Sequence, residues 1–371
     1  MSGPPELVVL SHLRWTFVWQ RPQHLISRLG RGRRTWYVEE PVVSTVTTPR
    51  LCVERHGDVR RVWFEVPGRS EGWDGLDFDD PRAADYGDAL SALLGPAEQR
   101  TLWLYTPLAL SIAHTVGGDG LVYDVMDDLS AFAKASPRLA QARNATLEEA
   151  DLVFTGGRSL DAGVRHVAPE RTHLFASGVE PEHYAGARER RQPRARPVAG
   201  YVGVIDERLD LELLAGLAAE LPDWDLELAG PVAEGKLDPA LLPQAPNLRY
   251  LGMQPYKRLP EVMGGFDVAL MPFALNESTR SISPTKTLEY LAAGLPVVST
   301  RVPDVVTDYD GVVDLRDDAA GFAAACREVL EHPVSERDEK LDALLAVHHW
   351  DAIAERMAAL MGQLATQPTA A

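Results

Sequence analysis

The chain has 371 residues, 45% hydrophobic and 25% charged, a globular composition long enough for two domains. Its net charge of −17 opposes nucleic acid as a general partner. No apolar run is long enough to span a bilayer, the N-terminus has no basic-then-apolar leader, and Cys52 and Cys326 are too few for a disulfide framework, so a cytoplasmic protein is expected.

Glu6–Ser11 reads as a buried strand, with Trp15, Phe17 and Trp19 on the loop after it. Pro22 opens a helix whose Leu25, Ile26 and Leu29 face inward and which Gly30 or Gly32 stops. Gln20 and Arg21 are thereby placed beyond the C-terminal end of the first strand, where open α/β sheets bind ligands. Arg14, Arg21, Arg28, Arg31, Arg33 and Arg34 fall between His12 and Val38 with no carboxylate among them. The Arg21–Arg34 stretch is a candidate for peripheral contact with an anionic membrane. Its plain reading is a solvated helix end, its cations near the C-terminal dipole.

Further strands are expected at Trp36–Glu40, Arg61–Val66, Thr101–Thr106, Gly120–Val125, Asp151–Thr155 and Thr172–Ser177, and helices at Ala84–Leu94 and Leu139–Ala150. Asp124, Asp127 and Asp128 crowd at the end of the strand at 120–125, and crowding raises a carboxylate pKa toward that of a base. Their plain reading is a capped turn with solvated acids. Ala185–Pro197, Arg-rich and carrying Pro193 and Pro197, is the expected linker. The domains are accordingly assigned to 1–184 and 198–345, with a helix and tail over 346–371.

The second half restarts the pattern. Val198–Val204 is a strand entering a loop with Gly203, and Asp206–Asp210 is expected to begin a helix through Leu217. Asp225–Ala229, Leu248–Gly252 and Phe266–Pro272 follow as strands, Val312–Leu315 ends the sheet, and Trp350–Gln363 is a terminal helix. Gly230–Lys236 imitates a phosphate loop, but Leu237 stands where Ser or Thr is required. Asp308-Tyr309-Asp310 reads as a turn before Gly311.

The most informative stretch is Ser281–Thr300. Ser283 suits an N-cap, Pro284 the first helical position, and Gly294 with Pro296 the stop. Leu288 and Leu291 share one face, and Thr285, Lys286 and Glu289 another. The helix N-terminus with Lys286 suits a diphosphate, and Glu289 one turn later suits a ribose diol. The loop before it brings Arg280 as a diphosphate or carboxylate partner.

The run Ser-Pro-x-Lys-x-x-Glu-Tyr-x-Ala-x-Gly-x-Pro-Val-Val, Ser283 to Val298, resembles the donor-site signature of GT-B glycosyltransferases related to glycosyltransferase family 4. WQRPQHL, Trp19 to Leu25, with WYVEEP, Trp36 to Pro41, resembles bacterial members that build cell-surface polysaccharide. The resemblance runs from Trp19 to about Met361. It implies a GT-B architecture, two doubly wound Rossmann-like domains facing a cleft, the C-terminal helix returning toward the first domain.

It implies that Lys286 meets the nucleotide diphosphate and Glu289 the ribose, with Ser283 and Thr285 beside them. Gly203 and Arg208 would approach the donor phosphates, and the loop at Met253 would hold the base. On the acceptor side stand Gln20, Arg21 and His24, with Asp127, Asp128 and His24 the candidate catalytic groups. A packed or capping role is the alternative for His24, and a solvated helix start for Arg208. Ser281 occupies the place of the family's first Glu, and Glu277 lies out of register. The expected activity is metal-independent transfer from a nucleotide-sugar, foremost a UDP-sugar, to a polysaccharide or lipid-linked acceptor, with no bound cofactor. The alternatives are a nucleotide-sugar epimerase on this fold and an inactive nucleotide-binding homologue.

Overall fold

The computed structural model describes residues 5–69, 75–131, 138–191, 194–233, 237–331 and 339–364. The end of the phosphate-loop imitation and the tail after Leu364 lie outside them. Contacts divide the chain into two units, Met1–Ala176 with Asp351–Ala371, and Ser177–Trp350.

The first unit is built on β1 (Glu6–Ser11), β2 (Arg34–Glu39), β3 (Val42–Ser44), β4 (Arg50–His56), β5 (Val59–Pro67), β6 (Arg100–Leu104), β7 (Gly120–Val125), β8 (Leu152–Thr155) and β9 (Thr172–Leu174). They lie in the order β3-β5-β2-β1-β6-β7-β8-β9, with β4 antiparallel on β5. The other pairings among the described strands are parallel. All six residues of β1 are buried, as a central strand covered on both faces requires. Leu10, Val38, Phe64, Tyr86, Leu104 and Val153 belong to one core. β4 exposes Glu54 and Arg55 and carries no sustained apolar alternation, so no local pattern announces it. The ladder with β5 and the Arg50–Glu65 ion pair at 2.7 Å hold it.

The second unit carries β10 (Val198–Val202), β11 (Asp225–Ala229), β12 (Leu248–Gly252), β13 (Val268–Met271), β14 (Val297–Ser299) and β15 (Asp314–Leu315). Their order is β12-β11-β10-β13-β14-β15, all parallel. Along β13, Val268 and Leu270 enter one apolar cluster and Ala269 and Met271 the other, the two-residue period of a strand buried on both faces. Helices at Pro303–Tyr309, Ala319–Glu331 and Glu339–Val347 complete the unit. Asp308 and Tyr309 therefore end a helix, and Asp310 leads into Gly311 at φ +76°.

Two expectations of organisation change. The units part at Ala176/Ser177, ahead of the Arg-rich stretch at 185–197. The segment after Ser177 is tied into the second unit: Ser177 Oγ donates to the Ser283 carbonyl at 3.1 Å, and Tyr256 donates to Glu180 at 2.6 Å. The helix expected from Asp206 starts at Leu211 instead. Asp210 caps it, accepting from the Leu213 N–H at 2.8 Å. Among the described residues no helix is long and apolar enough to cross a membrane.

Candidate active site

In the second unit β10 lies between β11 and β13, so strand order reverses at the β10/β13 boundary. The crevice beyond the carboxyl ends of such a strand pair is where open α/β sheets place ligands. The loop after β10 carries Gly203, Asp206 and Arg208; the loop after β13 leads into the helix Thr285–Ala292. The two loops are joined by the Ala274 N–H to Arg208 carbonyl bond at 2.9 Å and by the Leu209–Phe273 bridge.

The helix begins one residue later than its sequence suggests. Pro284, at ψ 117°, is the N-cap, and no side chain caps the end, so Ser283 is not the cap. The Thr287 N–H already donates to the Pro284 carbonyl at 3.3 Å, so an anion would meet the N–H groups ahead of it. The far end closes as a Schellman motif: Gly294 sits at φ +71°, its N–H donating to Leu291 and that of Leu295 to Tyr290, at 3.0 and 2.9 Å. Leu288 and Leu291 are buried, while Thr285, Lys286 and Glu289 are half-buried on the other face.

Lys286 reaches over Gly203. A Cβ at Gly203 would lie 1.9 Å from Lys286 Cε and 2.6 Å from the Tyr201 hydroxyl, so only glycine leaves the lysine its place. Gly230, at φ +144°, repeats the constraint from the other side, where an added Cβ would meet the Gly203 carbonyl at 1.8 Å. Burial pushes the Lys286 pKa down, opposed by Glu289 and reinforced by Arg208. Burial pushes the Glu289 pKa up, opposed by Lys286 and Tyr184. Arg208 is forked onto Asp206 at 2.6 to 3.1 Å. Two cations and two carboxylates thus converge beside the open helix end.

The other donor-side candidates stand further out. Met253 is half exposed after β12. Arg280 is exposed and, among the described residues, pairs with Glu277 at 3.6 Å. Ser281 is half-buried, and Ser283 holds Ser177 through its carbonyl.

In the first unit β1 lies between β2 and β6, a second reversal of strand order. Gln20 is the N-cap of the helix Arg21–Leu29, and its N–H donates to Gln23 Oε1 at 3.0 Å. Arg21 is not an acceptor-facing cation. It is 3% exposed and forked onto the fully buried Asp124 at 2.9 to 3.2 Å, and its third nitrogen donates to the Phe175 carbonyl at 2.8 Å. Asp124 is correspondingly not an open carboxylate. His24 is buried and accepts at Nδ1 from the Trp19 indole at 3.2 Å. Asp128 caps the turn after β7, accepting from the Ser130 hydroxyl at 2.5 Å; Asp127 beside it is half-buried.

The arginine patch is also reduced. Arg14 pairs with Glu39, Arg21 with Asp124, Arg28 with Asp351 and Arg34 with Glu6, each carboxylate arriving from outside the His12–Val38 stretch or its end. Only a view of the fold shows those partners.

Residues 196–332 match the family model of the glycosyl transferases group 1. A glycosyltransferase of Bacillus subtilis (strain 168) named for teichuronic acid biosynthesis, TuaH, is 26% identical over 269 residues, spanning 66% of this chain and 66% of that protein. Solved structures share the fold over nearly the whole length. A structure described as trehalose-6-phosphate from E. coli bound with UDP-2-fluoro glucose gives a TM-score of 0.69 at 15% identity, covering 98% of this chain and 99% of that one. The UDP-forming trehalose-phosphate synthase of Burkholderia xenovorans with glucose-6-phosphate gives 0.71 at 13%, covering 97% and 100%.

Residues 196–332 carry the group 1 glycosyl transferase match, and the chain as a whole has the GT-B fold.

The matched region contains Gly203, Arg208, Lys286 and Glu289, the same four residues that the strand order gathers at one crevice. Sequence reading missed two neighbours of that group. Asp206 shares Arg208; its signal was the Asp-x-Arg spacing, which read equally well as a helix start. Tyr184 faces Glu289 from the short helix Pro181–Ala185, and nothing in the sequence marks that contact.

Proposed function

We propose that this glycosyltransferase moves a sugar from a nucleotide-sugar, foremost a UDP-sugar, to a saccharide acceptor of cell-surface polysaccharide synthesis, free or lipid-linked, in the cytoplasm. The observation that carries the donor side is the convergence of Lys286, Arg208 and the uncapped helix end beyond β10 and β13. Charge develops on the departing diphosphate as the glycosidic bond breaks. A fixed ammonium and fixed N–H groups stabilise it without reorganising, which is why such donors accelerate the step. Desolvation at Lys286 strengthens the attraction. Glu289 one turn along takes the ribose hydroxyls. No metal ion takes part in the proposed transfer.

On the acceptor side the candidate base is one of the neighbouring carboxylates Asp127 and Asp128, the latter also accepting from the Ser130 hydroxyl. His24 and Gln20 shape that end of the first sheet. The named relatives favour this reading: one is named for teichuronic acid biosynthesis, and others were solved with a UDP-sugar or a sugar phosphate. A second reading, nucleotide binding without transfer, has Ser281 in its favour at the place of the family's first Glu.

Calorimetric titration with UDP, GDP, ADP and dTDP, on wild type and on Glu289→Ala, tests the donor site. Binding of UDP that is lost in the variant is expected. Absence of binding by all four nucleotides overturns the assignment, and binding without sugar turnover on any saccharide acceptor selects the second reading.

A further inference from the structure

Tyr184 sits on the helix Pro181–Ala185, which packs against the helix that bears Glu289. Its side chain is 1% exposed. Its hydroxyl lacks a well-formed hydrogen bond among the described residues, and Glu289 and Tyr256 are the hydrogen-bonding groups beside it. A hydroxyl taken out of water without a well-formed bond is costly, and such a group calls for an explanation in function.

The neighbouring aromatic is already committed. The Tyr256 hydroxyl donates to Glu180 at 2.6 Å. The His183 ring stacks on Tyr256 at 4.2 Å and 6°, and its Nε2 lies 3.0 Å from the Tyr256 carbonyl. Tyr256 is therefore held from two sides. Tyr184 is the hydroxyl left to serve Glu289.

We propose that Tyr184 is a positioning residue for nucleotide ribose: when the ribose diol engages one oxygen of Glu289, the Tyr184 hydroxyl donates to the other and holds the carboxylate in one orientation. Half-buried Glu289 sees Lys286 along its own helix and Tyr184 across it, so the pair fixes the carboxylate from two directions. A carboxylate accepts several hydrogen bonds at once, and a bond to the charged form is among the stronger ones. The inference rests on the donor-site reading of Glu289.

The test is calorimetry on the full chain with UDP and with 2′,3′-dideoxy-UDP, for wild type, Tyr184→Phe, Glu289→Gln and the double variant. Tyr184→Phe is expected to weaken UDP about tenfold, the worth of one charge-assisted hydrogen bond. It is expected to leave dideoxy-UDP unchanged and to add nothing on top of Glu289→Gln. Equal weakening of both nucleotides, or an additive double variant, overturns the positioning role while the donor site stands; that result would put the Tyr184 hydroxyl on Tyr256. Failure of wild type to bind UDP, or of Glu289→Gln to weaken it, overturns the donor-site reading and the inference with it. The readout is a ratio of two dissociation constants on one sample, so partial unfolding cancels. Tyr184→Met replaces Tyr184→Phe if the latter does not fold.

Discussion

Arg21 grips Asp124 with its guanidinium fork at 2.9 to 3.2 Å, at a point where both side chains are buried. The pair ties the start of the helix Arg21–Leu29 to the end of β7, and the bond to the Phe175 carbonyl extends it past the end of β9. Burial pushes the Asp124 pKa up and Arg21 opposes that shift. The pair is thus a brace across three parts of the sheet's C-terminal edge.

Removing one partner leaves the other charge buried and uncompensated. Arg21→Leu is expected to destabilise the first unit by about 3–5 kcal/mol in urea unfolding. Arg21→Leu with Asp124→Leu should recover much of that loss, because no lone charge remains. A single variant as stable as wild type would contradict the brace.

Gly203→Ala tests the close approach. The new methyl would stand 1.9 Å from Lys286 Cε, so the lysine must move. Stability should fall by roughly 1–3 kcal/mol from overpacking. Nucleotide affinity should fall at least about tenfold, read by calorimetry on the folded variant. Unchanged affinity would remove Lys286 from the donor site.

Lys286→Ala separates chemistry from folding. Turnover is expected to fall about 10²- to 10³-fold, the scale for loss of one fixed electrostatic donor. The melting temperature should hold or rise, because burial holds the Lys286 pKa down and alanine removes a desolvated charge. A variant with normal turnover would sink the assignment.

Glu40 gives a pH signature unrelated to the site. Burial, with Asp77 second and Asp79 weaker, pushes its pKa from 4.5 up to about 8, against Arg14. Between those values the folded state binds more protons than the unfolded one, so stability falls as pH rises. The contribution is complete below 4.5 and lost as pH passes about 8. Glu40→Gln should therefore be more stable than wild type at pH 9 by thermal melting, with the difference shrinking toward pH 4.5. An equal difference at both ends would place the effect elsewhere.

By itself the sequence determined most of the central strands and the body and stop of the donor-side helix. Glu6–Ser11, Gly120–Val125, Asp225–Ala229 and Leu248–Gly252 have the bounds their patterns announce. Leu288 and Leu291 point inward, and Gly294 ends the helix at positive φ. These are local outcomes, set by burst length, side-chain period and glycine's freedom at φ above zero.

Tertiary structure decided what each charge does. Asp206 and Asp210 are equal candidates for a helix start on local grammar. The bonds from Arg208 to Asp206 and from the Ala274 N–H to the Arg208 carbonyl draw the first into a loop, and the cap falls to the second. Arg21 and Arg208 look alike in sequence, each an arginine just beyond a strand. One is closed in by Asp124 from a strand 103 residues away, and the other stays part-exposed beside Lys286. Tyr184 became a neighbour of Glu289 only when two helices far apart in the chain packed together. Pairings of this kind depend on which strands lie side by side, and no local pattern carries that order.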